Sequence, residues 1–406
     1  MSVKPLEVDV MIAGGGLVGG TLAVGLVEGG LSVAVVDIQA PVDGIDAGFD
    51  GRAAAIALSS KRVLDGLGLW ENMQPETSPI QEIRVSDAAS FFFLHYDRKD
   101  VGAEAFGYMV ENRSIRKALM ARFKELKDFT LLAPNSIIHV ERNPGEVRAT
   151  LADGRTVKAK LIVGAEGRRS PTRDAAGIKL TSWSYKQRGI VCTVAHELSH
   201  DNVAHEHFLP AGPFAILPLP NNLSSIVWTE RDELVDSIMA MDDEGFLNEL
   251  KYRFGDFLGE LEVVGPRWSY PLSLQYADRA VDHRLVLAGD AAHGMHPIAG
   301  QGLNMGLRDV AVLAEVLTDA RRLGLDPGDG TVLNSYEQRR RFDNTLMLAM
   351  TDMLNRLFSN NVEPVRVARD LGLAAVDRLP PLKKVFMQHA MGLVGELPRL
   401  MRGEPL

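Results

Sequence analysis

The segment Gly14-Gly15-Gly16-Leu17-Val18-Gly19 limits what this chain can fold into more than any other, because of what stands on either side of it. Before it, Val8–Ala13 is a short apolar run with β-branched residues, as in a buried strand; after it, Leu17–Val27 can run as a helix. Ser32–Asp37 supplies a second buried strand, so the chain opens as a βαβ unit. In that setting Gly14 permits the tight turn, Gly16 lets a pyrophosphate approach the backbone, and Gly19 allows close helix packing. The phosphates would meet the helix N-terminus, where free N–H groups and the helix dipole favour negative charge. Asp37, ending the second strand, is placed to accept hydrogen bonds from ribose hydroxyls. The pattern points to a dinucleotide but does not by itself separate FAD from NAD.

At 406 residues the chain has room for a large core and two closely packed domains. Its formal net charge of -9 argues against nucleic acid as the main partner, since phosphate binding needs concentrated Lys and Arg. A single cysteine, Cys192, excludes an internal disulfide framework and a Cys-cluster metal site, and points to a reducing, cytoplasmic setting. Cys192 itself reads as a buried small side chain. The uncharged stretch Val10–Val27 follows Glu7 and Asp9 and is crowded with glycine, so it reads as strand, turn and helix and not as a targeting segment.

Farther along, short apolar runs from Thr130 to Val163 alternate with turns such as Asn143-Pro144-Gly145 and Asp153-Gly154, suggesting an antiparallel meander. A second strand-rich block covers about Gly189 to Trp228; a last strand, Arg284–Ala288, precedes a helix from about Leu303 to Ala320. The remainder reads as helical, with Pro364 and Pro380-Pro381 as interruptions. This order favours a discontinuous nucleotide-binding domain with a sheet-based domain inserted into it: 1–75, 100–180 and 275–345 for the first, 76–99 and 181–274 for the second, and a helical C-terminal segment, 346–406.

Two further motifs carry chemistry. In Leu285–His293 an apolar strand empties into Gly289-Asp290; Asp290 either holds ribityl or ribose hydroxyls or caps the segment after it, and the stretch alone leaves both open. Directly after it, His296-Pro297-Ile298-Ala299-Gly300-Gln301-Gly302-Leu303-Asn304 makes a bare loop and a helix start whose free N–H groups suit the pyrimidine side of an isoalloxazine.

The stretch from His296 to Asp309 resembles the signature of the ubiquinone-biosynthesis flavin hydroxylases, and the resemblance extends over nearly the whole chain. Asp50-Gly51-Arg52 with Ser59, Glu111-Asn112-Arg113 with Arg116, Gly212-Pro213, Leu217-Pro218, Ser225–Trp228 and the ending Arg402–Leu406 all fit it. It implies an α/β plus β architecture: a Rossmann-like FAD-binding domain of the para-hydroxybenzoate-hydroxylase type with an inserted substrate sheet. It also implies that Arg52 reaches the flavin and that Arg116 contacts FAD. His293, Pro297, Gly300, Gln301 and Gly302 would lie beside the ring; Gly289, Asp290, Leu303 and Asn304 would join the cofactor contacts. One position departs. The family's middle motif reads Ala-Asp-Gly, whereas this chain has Ala165-Glu166-Gly167-Arg168-Arg169-Ser170. Glu keeps the charge and adds a methylene, so FAD binding is expected to persist, while the placement of flavin or nicotinamide at Glu166 and Gly167 stays open.

The implied reaction is hydroxylation of an electron-rich ring through a flavin hydroperoxide, with O2 and with NADPH or NADH as a transient reductant, or electrons from a partner protein. The implied substrate is a polyprenylated phenol or quinol drawn from a membrane. Two other readings stay open: an FAD hydroxylase of a soluble aromatic, and a low-turnover flavoprotein subunit among other ubiquinone-biosynthesis proteins. The basic and apolar C-terminal segment Leu379–Leu406 suits peripheral contact with the inner face of a membrane or a partner, or docking on its own core. No residue is assigned as a catalytic acid or base. His293 and His296 lack a third metal ligand, so no metal is expected; His200, His205 and His207 read as a solvated surface cluster. Arg168-Arg169 either grips a cofactor phosphate or stands in water.

Overall fold

Helices cover the apolar runs at the start of the chain, and the runs form the centre of a parallel sheet. In the computed structural model, which describes residues 4–41, 51–87, 93–295, 300–358 and 379–406, β1 (Leu6–Ala13) lies between β2 (Val33–Val36) and β11 (Thr156–Gly164), parallel to both. β8 (Phe129–Leu132) extends the sheet in parallel beside β2, and β18 (Leu285–Leu287) does so beside β11. β17 (Val281–Asp282) closes that edge, while β9 (Ile137–Arg142) and β10 (Val147–Leu151) fold back on β11 in antiparallel order. The expected meander therefore begins one strand late. β8 follows helix α3 (Asn112–Phe123), and a helical crossover delivers a strand in parallel, whereas the turns at Asn143-Pro144-Gly145 and Asp153-Gly154 make antiparallel pairs.

A second sheet runs β19 (His293–Gly294), β16 (Leu261–Ala277), β12 (Leu180–His196), β15 (Leu223–Arg231), β14 (Gly212–Leu219), β13 (Val203–Leu209), β5 (Glu82–Asp87), β6 (Phe93–Asp97). One face is covered by α5 (Asp232–Met239) and α6 (Asp243–Phe254), where Ile190, Phe214 and Trp228 pack on Phe246 and Leu250. Cys192 is buried in this layer, and burial pushes its thiol up to about 12. The histidines expected in water belong here too. His205 and His207 are half-buried on β13, with the Phe257 ring 4.8 Å from His205, and burial lowers both, His205 to about 4. His200 is tied to the Leu219 carbonyl at 2.8 Å. Pairing of β13 on both sides, with β5 and β14, is what withdraws these histidines from solvent.

A small third sheet, β3 (Ala53–Ala57), β7 (Gly107–Glu111) and β4 (Thr77–Ile80), stands between the two large ones. Helix α1 (Leu17–Glu28) packs on α7 (Gln301–Arg322), and α8 (Gly330–Phe358) continues without a break through residues 345 and 346. The tail ends docked: Leu400 and Met401 are buried, the Arg399 N–H donates to Glu315 at 2.6 Å, and its guanidinium pairs with Asp319 at 2.7 Å. Val385 and Phe386, on the helix Pro380–Ala390, remain exposed. Among the described residues no helix is long and apolar enough to cross a membrane.

Candidate cofactor site

The carboxyl ends of β2, β1, β11 and β18 lie side by side, and each is followed by one of the singled-out segments. The chain passes from β1 to β2 on one side, and β11 occupies the other, so β1 stands at a topological switch point, where open parallel sheets bind ligands. Gly14 adopts φ +97°, and a Cβ there would lie 2.5 Å from the Ala165 carbonyl oxygen. A Cβ on Gly19 would lie 1.9 Å from the Gly14 oxygen, so only glycine allows α1 this close to the turn. A Cβ on Gly16 meets nothing within 4 Å. The N-terminus of α1 has no capping side chain and no acidic residue in its first turn, leaving its donors to the open space before it.

The Asp37 carboxylate is oriented by two backbone donors, the N–H groups of Gly15 and Gln39. Gln39 in turn accepts from Arg116 on α3 at 3.3 Å, which brings Arg116 to the same edge of the cleft. On the opposite side, Asp290 does not cap the short turn Gly289–Ala291. Its backbone carbonyl accepts from Gln275 at 2.8 Å, but its carboxylate makes no hydrogen bond among the described residues. Burial raises the Asp290 carboxyl above its ordinary value, with Arg168 and His293 pulling the other way. Gly289 approaches the side chain of Val18, and its N–H donates to Asp309 at 2.8 Å.

His296, Pro297, Ile298 and Ala299 lie outside the described residues, as does Asp50. Gly300, at φ +63°, starts α7 directly, two residues ahead of the expected Leu303, so Gln301, Gly302 and Leu303 form the first turn. No side chain caps it. Asn304 holds β3: its Oδ1 accepts from the Ala57 N–H, and its Nδ2 donates to the Ala55 carbonyl, both at 2.8 Å. Arg52, exposed at the start of β3, places its guanidinium carbon 5.7 Å from the centre of the Trp268 ring of β16.

Glu166 has a local duty. Its carboxylate accepts from the Ser170 hydroxyl at 2.6 Å and from the Thr172 N–H at 3.1 Å, closing the turn before Pro171–Ala175. Gly167 beside it faces open space. Arg168 donates to both oxygens of Ser273, tying this loop to β16, while Arg169 is exposed.

Beneath the site lies a buried cluster that sequence reasoning missed. Asp309 Oδ2 is 2.7 Å from His293 Nε2, and its Oδ1 accepts from Arg340 Nε at 2.6 Å. All three side chains are almost wholly buried. Burial opposes the Asp309 charge, but His293 and Arg340 outweigh it and bring the carboxyl down to about 2. Arg340 sits in the run Arg339-Arg340-Arg341, where nothing marks which arginine turns inward. No group of three or more candidate ligands among the described residues is arranged to hold a metal.

A family model described as an FAD binding domain matches residues 7–349. The ubiquinone hydroxylase UbiL of Rhodospirillum rubrum is 57% identical over 401 residues, covering 98% of this chain and 93% of that protein. The 3-demethoxyubiquinol 3-hydroxylase of Escherichia coli is 34% identical over 395 residues, covering 97% of this chain and 100% of its own. Among solved structures, p-nitrophenol 4-monooxygenase PnpA from Pseudomonas putida superposes with a TM-score of 0.80 at 18% identity, over 96% of this chain and 99% of that one.

Proposed function

This chain belongs to the FAD-dependent hydroxylases of ubiquinone biosynthesis, and from that premise we propose that it hydroxylates the ring of a polyprenylated phenol or quinol. The cofactor is FAD, which supplies the redox chemistry that places one atom of O2 on the ring. In this reading the α1 N-terminus and the Gly14–Gly19 turn hold the diphosphate. Asp37 and Arg116 take the adenosine ribose side; Gly289 and Asp290 take the ribityl chain. The first turn of α7, with Gly302 and Leu303, faces the pyrimidine edge, and Asn304 keeps β3 against it. Arg52, Gly300 and Gln301 flank the ring, His293 packs beneath it against Asp309, and Glu166 with Gly167 shape the loop behind it.

The observation that carries this reading is the half-buried Asp290 carboxylate, left without a hydrogen-bond partner among the described residues at the mouth of a bare glycine cradle; withdrawing such a group from water unbonded is costly unless a ligand completes it. The residues that would hold FAD belong to 1–75, 100–180 and 275–345, and those of the substrate sheet to 76–99 and 181–274, with 346–406 as a helical C-terminal segment. NADPH or NADH would dock transiently, since the sequence holds no second nucleotide fingerprint. Exposed Val385 and Phe386 beside Lys383 and Lys384 would bring the protein to a membrane surface for its substrate.

The test is turnover by the purified yellow protein with NADPH, O2 and paired phenols that differ only in a one- or two-unit prenyl tail. Hydroxylation of the tailed phenol with a KM at least tenfold lower is expected. Equal use of both would favour a soluble aromatic substrate, and peroxide without hydroxylated product from either would overturn the assignment.

A further inference from the structure

The register of the second sheet puts Glu206 of β13 opposite Ala215 of β14 and Val85 of β5, and Ala215 opposite Val227 of β15. Residues paired across a sheet share a face, so Glu206 stands on the face turned away from α5 and α6. His205 and His207, its neighbours in sequence, point to the helix side, where His205 meets Phe257. Two residues before Glu206, Ala204 packs in the cluster that includes Ala55 of β3 and Leu217. Two residues after it, Phe208 packs with Leu94, Val85 and Leu357 of α8. Ala55 is the residue that Gly300 approaches and whose carbonyl Asn304 holds. Glu206 is thus the one acidic side chain of β13, set between two apolar clusters on the face that looks toward the start of α7.

Nothing described satisfies it. The Glu206 carboxylate makes no hydrogen bond or ion pair among the described residues, and the residue is half-buried on this face. Burial alone raises its carboxyl to about 7; no nearby charge contributes. Among the described residues, the titratable and charged groups on the neighbouring elements include Asp87 of β5, which pairs with Phe208, Tyr96 of β6, Asp352 of α8, which accepts from Tyr185, and Lys383, which lies 5.9 Å from the Tyr96 ring and pairs with Asp100. A carboxyl without a partner among apolar side chains on one sheet face is a liability for folding and an asset for proton transfer near neutral pH.

We propose that the Glu206 carboxylate is a catalytic residue that accepts the phenolic proton of the ring substrate. This rests on the function proposed above. The phenol O–H bond breaks, its electron pair stays on the ring oxygen, and the proton passes to a Glu206 oxygen. The ring carbons ortho and para to that oxygen become more nucleophilic toward the oxygen atom delivered in the hydroxylation proposed above. When the hydroxylated ring recovers aromaticity, its carbon loses a proton to water and Glu206 returns its own to the ring oxygen, so the carboxyl ends as it began.

The experiment uses the FAD-loaded protein and 2-prenylphenol, comparing wild type, Glu206→Gln and Glu206→Asp between pH 5.5 and 9. Wild-type kcat/KM should rise through an ionisation near the Glu206 value, and Glu206→Gln should lose that limb and about 100-fold or more of the hydroxylation rate. FAD content and NADPH-driven flavin reduction should be unchanged, Glu206→Asp should recover part of the rate, and the lost product should appear as hydrogen peroxide. A Glu206→Gln variant that hydroxylates within threefold of wild type across the range overturns the proposal. So does a wild-type profile with no limb between pH 6 and 8, which decides the matter even if the Gln variant fails to take up FAD. A wild-type protein that hydroxylates no phenol overturns the function above, and this inference with it.

Discussion

At the scale of single residues, two carboxylates in the same cleft have opposite relations to the fold. Glu166 uses its extra methylene to reach Ser170 and Thr172 together, so Glu166→Asp should lose part of that closure and about 0.5–2 kcal/mol of stability, as when a helix cap is lost, with FAD content unchanged. Urea denaturation alongside flavin absorbance checks both halves; lost flavin with intact stability would place Glu166 at the cofactor instead. Asp290 has no such internal partner. Asp290→Ala should therefore strip FAD while leaving the melting temperature of the apoprotein equal or higher, because a half-buried carboxylate with no hydrogen-bond partner among the described residues is removed. His205 and Glu206 oppose each other with pH. His205 falls from 6.5 to about 4, so its contribution is present above 6.5 and is lost as pH drops through 4. Glu206 rises from 4.5 to about 7, so its contribution is present below 4.5 and is lost as pH rises through 7. Relative to wild type, His205→Gln should gain stability on going from pH 7 to pH 4.5, and Glu206→Gln should lose it, in denaturant melts at those two values.

At the scale of elements, α1 and α7 meet where Gly306 faces Val18. A Cβ on Gly306 would lie 2.6 Å from a Val18 methyl, nearer than side chains approach. Gly306→Ala should displace the first turns of α7, lowering both FAD affinity and melting temperature, and Val18→Ala should restore most of each in the double variant. Additive losses would show that the contact is not the cause. This packing also explains what could be read in advance. The opening βαβ unit was legible because its strands, glycines and acid are neighbours in sequence, and α7 was legible from a long apolar period. The pairing of β5 with β13, some 120 residues apart, left no local trace, and neither did the wedge of β3, β7 and β4. Side-chain duties were harder still. Asn304 looks like a ligand residue in the motif, yet its amide serves as a strand-like partner for β3; the pairing of Asp309 with His293 and Arg340 depends on three segments brought together only by folding.

At the scale of the whole molecule, the end of the chain is a clamp on α7. Leu400 is buried and Arg399 bonds Glu315 and Asp319, so Leu400→Ala should cost about 2–5 kcal/mol of global stability while leaving FAD affinity in the folded protein unaltered. A melting-temperature loss without a change in flavin Kd is the expected signature, and a parallel loss of both would tie the tail to the site. The position of β18 bears on how such a protein is made. The parallel sheet receives its last interior strand at Leu285–Leu287, about 270 residues after β1, and at about 5–20 residues per second the ribosome needs a quarter of a minute to nearly a minute to deliver it. From the completion of β11 until then, its Ile162–Gly164 end, beyond the stretch that β10 pairs, has no strand on its outer side, and the glycine turn after β1 faces no Asp290. A nascent chain stalled with residue 280 just outside the exit tunnel should therefore retain no FAD and should recruit chaperones through its open edge. One stalled after Arg322 has emerged should take up the cofactor while the rest is still being synthesised.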